Sequence, residues 1–206
     1  MDKSTTKGQI LDASLELFSK MGFEATSISM IADAVGIRKA SLYSHYQNKQ
    51  DILDTLVKII LEQYDQHSIF SKADWEDPEF TKDKHGMNAD IVTQMIIGQL
   101  RYILHDPDLS RARKMMIIEQ FQNKELADIC TRQNYTDVLK FNTGMIRFLI
   151  REGKLRDEDP DIMGAQFCGP VSVWLGLCDR EPEREQEVME LIGRHIRQFF
   201  KIYRKN

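Results

Sequence analysis

Between Arg38 and Lys49 the chain carries three basic residues, one His and no acid, interleaved with the hydroxyls of Ser41, Tyr43 and Ser44. Cations and hydroxyl donors packed this closely suit phosphate oxygens and the edges of bases, and they lack the acid–base pairing that bond-breaking chemistry needs. Arg38 and Lys39 fall at the start of a short helical pattern, where side chains of a reading helix first meet base edges. Arginine can pair bidentately with guanine, so Arg38 is the first candidate for direct readout.

Helices must present that stretch. Ile28, Ile31, Ala32 and Val35 recur every three or four residues and so share one helical face. Gly36 follows, where a helix end favours a residue tolerant of left-handed backbone. A second helix takes Ile37, Leu42 and Tyr46 as its apolar positions. Two helices joined by a Gly-containing turn form a helix-turn-helix, here about 27–46, whose second helix can enter the DNA major groove. Upstream, Thr6 and Gln9 have capping-box spacing. Ile10, Ala13, Leu17 and Phe18 make an amphipathic helix ending at Gly22. It supports the other two and closes a three-helix core through Phe23, Ile31, Leu42 and Tyr46. Thr26 or Ser27 begins the second helix, and its exposed amides offer a phosphate seat. Asn48 caps a longer helix, with Asp51 in its first turn and Leu53, Leu56, Ile60 and Tyr64 as its stripe, running to about Gln66.

The segment IADAVGIRKASLYSHYQNKQDIL resembles the DNA-binding region of the TetR family of bacterial transcriptional regulators. The likeness extends back through ILDASLELFSKMGFEATSISM, so it covers about Gln9–Leu56. Ile-Ala, the turn Gly, the Lys, Leu-Tyr, His-Tyr and Asn-Lys all fall in order at the family's spacing. The resemblance implies phosphate contacts by Tyr43, His45 and Lys49, with Thr26 and Ser27 on the flanking backbone. It places Ala40 and Ser44, beside Ser41, where the family touches bases; Ala40 could meet a thymine methyl. Arg38 departs from the family, which more often has a small hydroxyl or Ala there. The departure removes a helix cap, at a typical cost of ~1 kcal/mol.

The chain has 206 residues and a net charge of −4, so it is no generic polyanion binder. Its first 50 residues hold six Lys/Arg against five Asp/Glu, which places the acidity in the remainder. Three cysteines, Cys130, Cys168 and Cys178, lack metal-ligand spacing, and an odd count argues against a disulfide framework. They read as reduced thiols of a cytoplasmic protein. The N-terminus is polar, and no apolar run approaches the ~18 residues of a membrane span. No phosphate loop, zinc motif or nucleophile elbow is present, and His67, His85, His105 and His195 stand singly. The expectation is no enzyme, no cofactor and no metal.

The pattern implies an all-α protein of about nine helices. A helix-turn-helix head at 4–64 precedes a helical ligand-binding and dimerisation body at 65–206. Residues 70–88 break the periodicity and read as a loop pinned by Trp75, Phe80 and Met87. Helices are expected at 89–105, 108–121, 124–151, 160–178 and 183–203. Ala165, Gly169, Ser172 and Gly176 form a small-residue stripe that lets another helix approach, with Pro170 kinking its own helix. The last helix carries more apolar surface than one face needs, including Leu191, His195 and Phe199. With the family's usual habit this implies a homodimer whose last two helices pair with their mates. Tyr102, Met115, Glu119, Phe121, Met145, Phe148, Phe167 and Trp174 could line a pocket for an unidentified small-molecule effector or simply form core. The resulting expectation is a repressor that a ligand releases from a palindromic double-stranded DNA operator. The alternatives are a ligand-independent DNA-binding or architectural dimer and, more remotely, a helical enzyme.

Overall fold

The computed structural model describes residues 3–205. No strand occurs among them, and the nine expected helices are present. The chain packs as two units, one formed by residues up to Ser68 with His105–Cys130, the other by Ile69–Leu104 with the chain from Thr131 onward.

The first unit contains α1 (Thr6–Ala25), α2 (Ile28–Val35), α3 (Lys39–Tyr43) and α4 (Lys49–His67), together with α8 (Pro107–Glu119) and α9 (Lys124–Thr131). Thr5, one residue before the expected cap, accepts the Gly8 amide at 3.1 Å and starts α1. Ile10, Leu15 and Phe18 of α1, Ile31 of α2 and Leu42 of α3 are fully buried together. α1 is broken at Gly22, whose φ of 82° and ψ of 169° are open only to glycine at low cost. α8 lies along α1 and buries Ala112, Met115 and Met116 in the same core. That packing draws the unit differently from a division at residues 64/65. At the α1–α8 seam, Arg111 reaches Asp12 at 2.6 Å, Asp108 at 2.6 Å and Glu16 at 3.2 Å.

In the second unit, α5 (Ile69–Lys72) and α6 (Pro78–Thr81) are single turns within the expected loop. They precede α7 (Ala89–His105), α10 (Asp137–Arg151), α11 (Pro160–Arg180) and α12 (Glu185–Tyr203). The helix expected over 124–151 is α9 and α10 joined by a π turn at Arg132–Thr136. Trp75 and Met87 are buried, and Trp75 meets Phe80 and Phe141 edge-on at 5.2 and 5.4 Å. The loop is therefore pinned by the residues its sequence suggested. α11 runs on through Pro170 without interruption. α12 buries Val188, Ile192, Ile196 and Phe199 along one face.

Candidate nucleic-acid interface

Ser27, exposed, caps α2 by accepting the Met30 amide at 3.2 Å. Gly36 ends α2 in the left-handed region, φ 74° and ψ 29°, and hands the chain to Arg38 in extended backbone. Arg38 occupies the N-cap position of α3 and makes no side-chain cap bond. The cap expected to be missing is missing. Leu42 and Tyr46 turn inward, 0% and 2% exposed. Burial, with a smaller contribution from the Asp51 charge, pushes the Tyr46 phenol up to about 12. Because these two residues face the core, Arg38, Lys39, Ala40 and Ser41 point outward, followed by Tyr43, Ser44 and His45. Tyr43 is 47% exposed. The Ser44 hydroxyl donates to the Ser41 carbonyl at 2.7 Å and steadies the end of α3. The result is an acid-free outward face of two cations, hydroxyls and one imidazole, with the capped start of α2 nearby in sequence.

Two of the residues expected to contact DNA are engaged within the protein. Thr26 is 1% exposed, and its hydroxyl donates to the Gly22 carbonyl at 2.8 Å, so the neighbouring Ser27 alone offers a surface hydroxyl. Lys49 is half-buried at the start of α4 and donates to the Phe23 and Thr26 carbonyls at 2.6 and 2.9 Å.

The eight candidate pocket residues divide between the two units. Met115, Glu119 and Phe121 belong to the first unit, the other five to the second. Met115 is core, and Phe121 stands 86% exposed. Glu119, buried at 6% exposure, accepts the Phe23 amide at 2.7 Å. Sequence reasoning missed that role because the partners lie 96 positions apart. Met145, Phe148 and Phe167 are buried in the second core, Tyr102 is 40% exposed, and Trp174 packs on His195 at 5.7 Å. A groove of about 710 Å³ between α7 and α12 is lined instead by residues that include Thr93, Ile97, Arg101, Met189 and Arg197.

Of the candidate interface residues, Ala165, Gly169 and Ser172 are exposed on α11 and Gly176 is half-buried. They share that helix with Ile162 and Val173, 56% and 69% exposed. Leu191 and His195 are half-buried, and the His195 ring pairs with the Phe167 carbonyl at 2.9 Å. Phe199 belongs to the core of the second unit, with its ring 5.1 Å from Phe167 and 4.7 Å from Tyr203. The three cysteines are free, and no cluster of potential metal ligands occurs among the described residues. No helix there is long and apolar enough to cross a membrane.

Fold and site define an all-helical protein with a helix-turn-helix head. Residues 10–56 match the profile of bacterial regulatory proteins of the tetR family. The negative transcriptional regulator IcaR of the biofilm operon icaADBC in Staphylococcus epidermidis is 46% identical over 46 residues, 22% of this chain. The aligned segment spans only 25% of that protein's length. Among solved structures, SmeT, the repressor of the Stenotrophomonas maltophilia multidrug efflux pump SmeDEF, superposes with a TM-score of 0.61 and 22% identity. That match covers 100% of this chain and 94% of SmeT. A SmeT–triclosan complex gives 0.60 and 22%, covering 98% and 92%. These two likenesses carry the fold across the whole chain.

Proposed function

We propose that the chain is a homodimeric transcriptional regulator that binds a palindromic DNA operator through α3. The observation that carries this reading is the outward, acid-free face from Arg38 to His45, set on a core that buries Leu42 and Tyr46. In a protein of net charge −4, such a local patch is where a polyanion would dock. Arg38 reads a base pair, Lys39, Ala40, Ser41 and Ser44 border it, and Tyr43, His45 and Ser27 hold phosphates. The exposed α11 face, with Ile162, Ala165, Gly169, Ser172 and Val173, supports a two-fold pairing of protomers. Such a protein acts in the cytoplasm, on the chromosome.

The regulator acts as a repressor, as IcaR and SmeT are named. A small molecule entering the body would release it from DNA, a reading suggested by the SmeT–triclosan complex and by the adaptable side chains of Met145, Phe148 and Phe167. The close packing of those three, each no more than 4% exposed, favours a second reading, a ligand-independent DNA-binding dimer.

Selection of bound duplexes from a random pool tests the proposal. A palindrome should emerge with half-site centres ~34–36 Å apart or a multiple of that spacing. No preference over random duplex at physiological salt would overturn it. Titrating triclosan against the bound operator separates the two readings: release supports the ligand-responsive one, and unchanged affinity with no thermal shift supports the other.

A further inference from the structure

The corner between α1 and α2 holds a cation whose donors are already engaged. The Lys49 ammonium donates to Phe23 O at 2.6 Å and Thr26 O at 2.9 Å, with Glu24 O further off at 3.4 Å. It also sits 4.1 Å from the centre of the Phe23 ring, within cation–π range. An ammonium has three donors, and here all three face backbone carbonyls. On its other flank, Phe23 gives its amide to the Glu119 carboxylate at 2.7 Å. A Cβ on Gly22 would lie 2.9 Å from that carboxylate oxygen, so glycine is what allows the approach. Thr26, one step before the α2 cap, is bonded back to Gly22. Residues 22–26 are thus held from α4 by a cation and from α8 by an anion.

We infer that Lys49 and Glu119 are positioning residues that clamp the α1–α2 corner under the reading head, and that Lys49 is not a phosphate ligand. The inference rests on the DNA-binding reading above and reassigns one of the contacts the family resemblance implies.

The test uses the full-length protein and the duplex that the wild type selects from a random pool. Affinity is followed across a salt series for the wild type, K49A, E119A, E119Q and the K49A/E119A double variant. K49A and E119A should each lose about ten-fold in affinity, the scale of one charge-assisted hydrogen bond. Neither should change the slope of log affinity against log salt. The double variant should lose less than the product, because both residues act on one corner. E119Q keeps an oxygen acceptor for the Phe23 amide and should stay within about three-fold of wild type. A K49A slope lower by about 0.9 beside an unaffected E119A would make Lys49 a phosphate ligand and overturn the inference. Where K49A does not fold, K49Q takes its place. The Phe23 amide proton resonance, read without DNA, should move upfield in E119A. An unmoved resonance in folded E119A overturns the clamp. A wild type with no duplex preference overturns the functional reading instead, and the resonance still decides the clamp.

Discussion

Replacing Arg111 with Met should unfasten α8 from α1 and flatten the acid-sensitivity of the protein. The Arg111 side chain is 17% exposed, and its guanidinium meets Asp12 and Asp108 at 2.6 Å each and Glu16 at 3.2 Å. Lys3 adds a second cation 3.0 Å from Asp12 and 3.6 Å from Asp108. Met preserves most of the apolar stem and leaves the three carboxylates without their shared guanidinium. Removing one partner of a buried pair costs about 3–5 kcal/mol, whereas exposed pairs contribute under ~1. Asp12 and Glu16 are 30% and 41% exposed and Lys3 remains, which places the loss between the two, at about 2–3 kcal/mol. Burial alone would raise the Asp12 and Asp108 carboxyls, but Arg111 and Lys3 outweigh it and hold both below their usual value. Lys20 first, then Arg111, does the same for Glu16. A carboxyl depressed by folding adds stability that is complete above its unfolded value, near ~4, and is lost as pH falls through its folded value. Urea unfolding over a pH series should therefore show a wild-type advantage at neutral pH that shrinks below about pH 4, where the two curves converge. A variant within ~0.5 kcal/mol of wild type at neutral pH, or a gap that persists unchanged into strong acid, would refute the reasoning.

Arg38→Ala should relax preference at one base pair of each half-site, by about 1–3 kcal/mol of discrimination, leaving other positions intact in a repeat selection. A uniform loss across sequences would remove Arg38 from base readout. Gly22→Ala forces a side chain into φ 82° and against Glu119, so thermal melting should fall by roughly 4–8 °C for a strain of about 2 kcal/mol. Val173→Asp, placed on the exposed α11 face, should shift sedimentation toward monomer and weaken operator binding without disturbing the helical spectrum. An unchanged dimer would move the interface elsewhere.

The head was legible because local rules and tertiary packing agree there. The 3.6-residue period marked Ile31 and Leu42 as core, Gly36 as the left-handed turn and Asn48 as a cap, which accepts the Asp51 amide at 2.9 Å. What escaped depends on backbone carbonyls and distant partners. Every residue carries a carbonyl, so nothing in the spacing says that Lys49 will find those of Phe23 and Thr26. Thr26 and Ser27 carry the same functional group, and the break at Gly22 decides which one faces inward. In the body, apolar side chains can mean core, cavity or interface, and a single sequence does not separate them. Phe199 was ambiguous until Phe167 and Tyr203 appeared against it.

The reading helix could not stand alone. α3 spans five residues, Lys39–Tyr43, far below the length at which isolated helices persist, and it lacks a side-chain cap. Its geometry is instead imposed from below by buried Leu42 and Tyr46 and from behind by the αL turn at Gly36. Since the exposed Arg38 side chain makes no cap bond, the fold gains nothing from it, and that position can be chosen for what it reads. Among Arg38 variants that cannot cap α3, base preference and melting temperature should then vary independently, whereas at Phe23, Lys49 and Glu119 they are bound together. Recognition in this head is therefore divided between an outer face that can change and a buried corner that cannot.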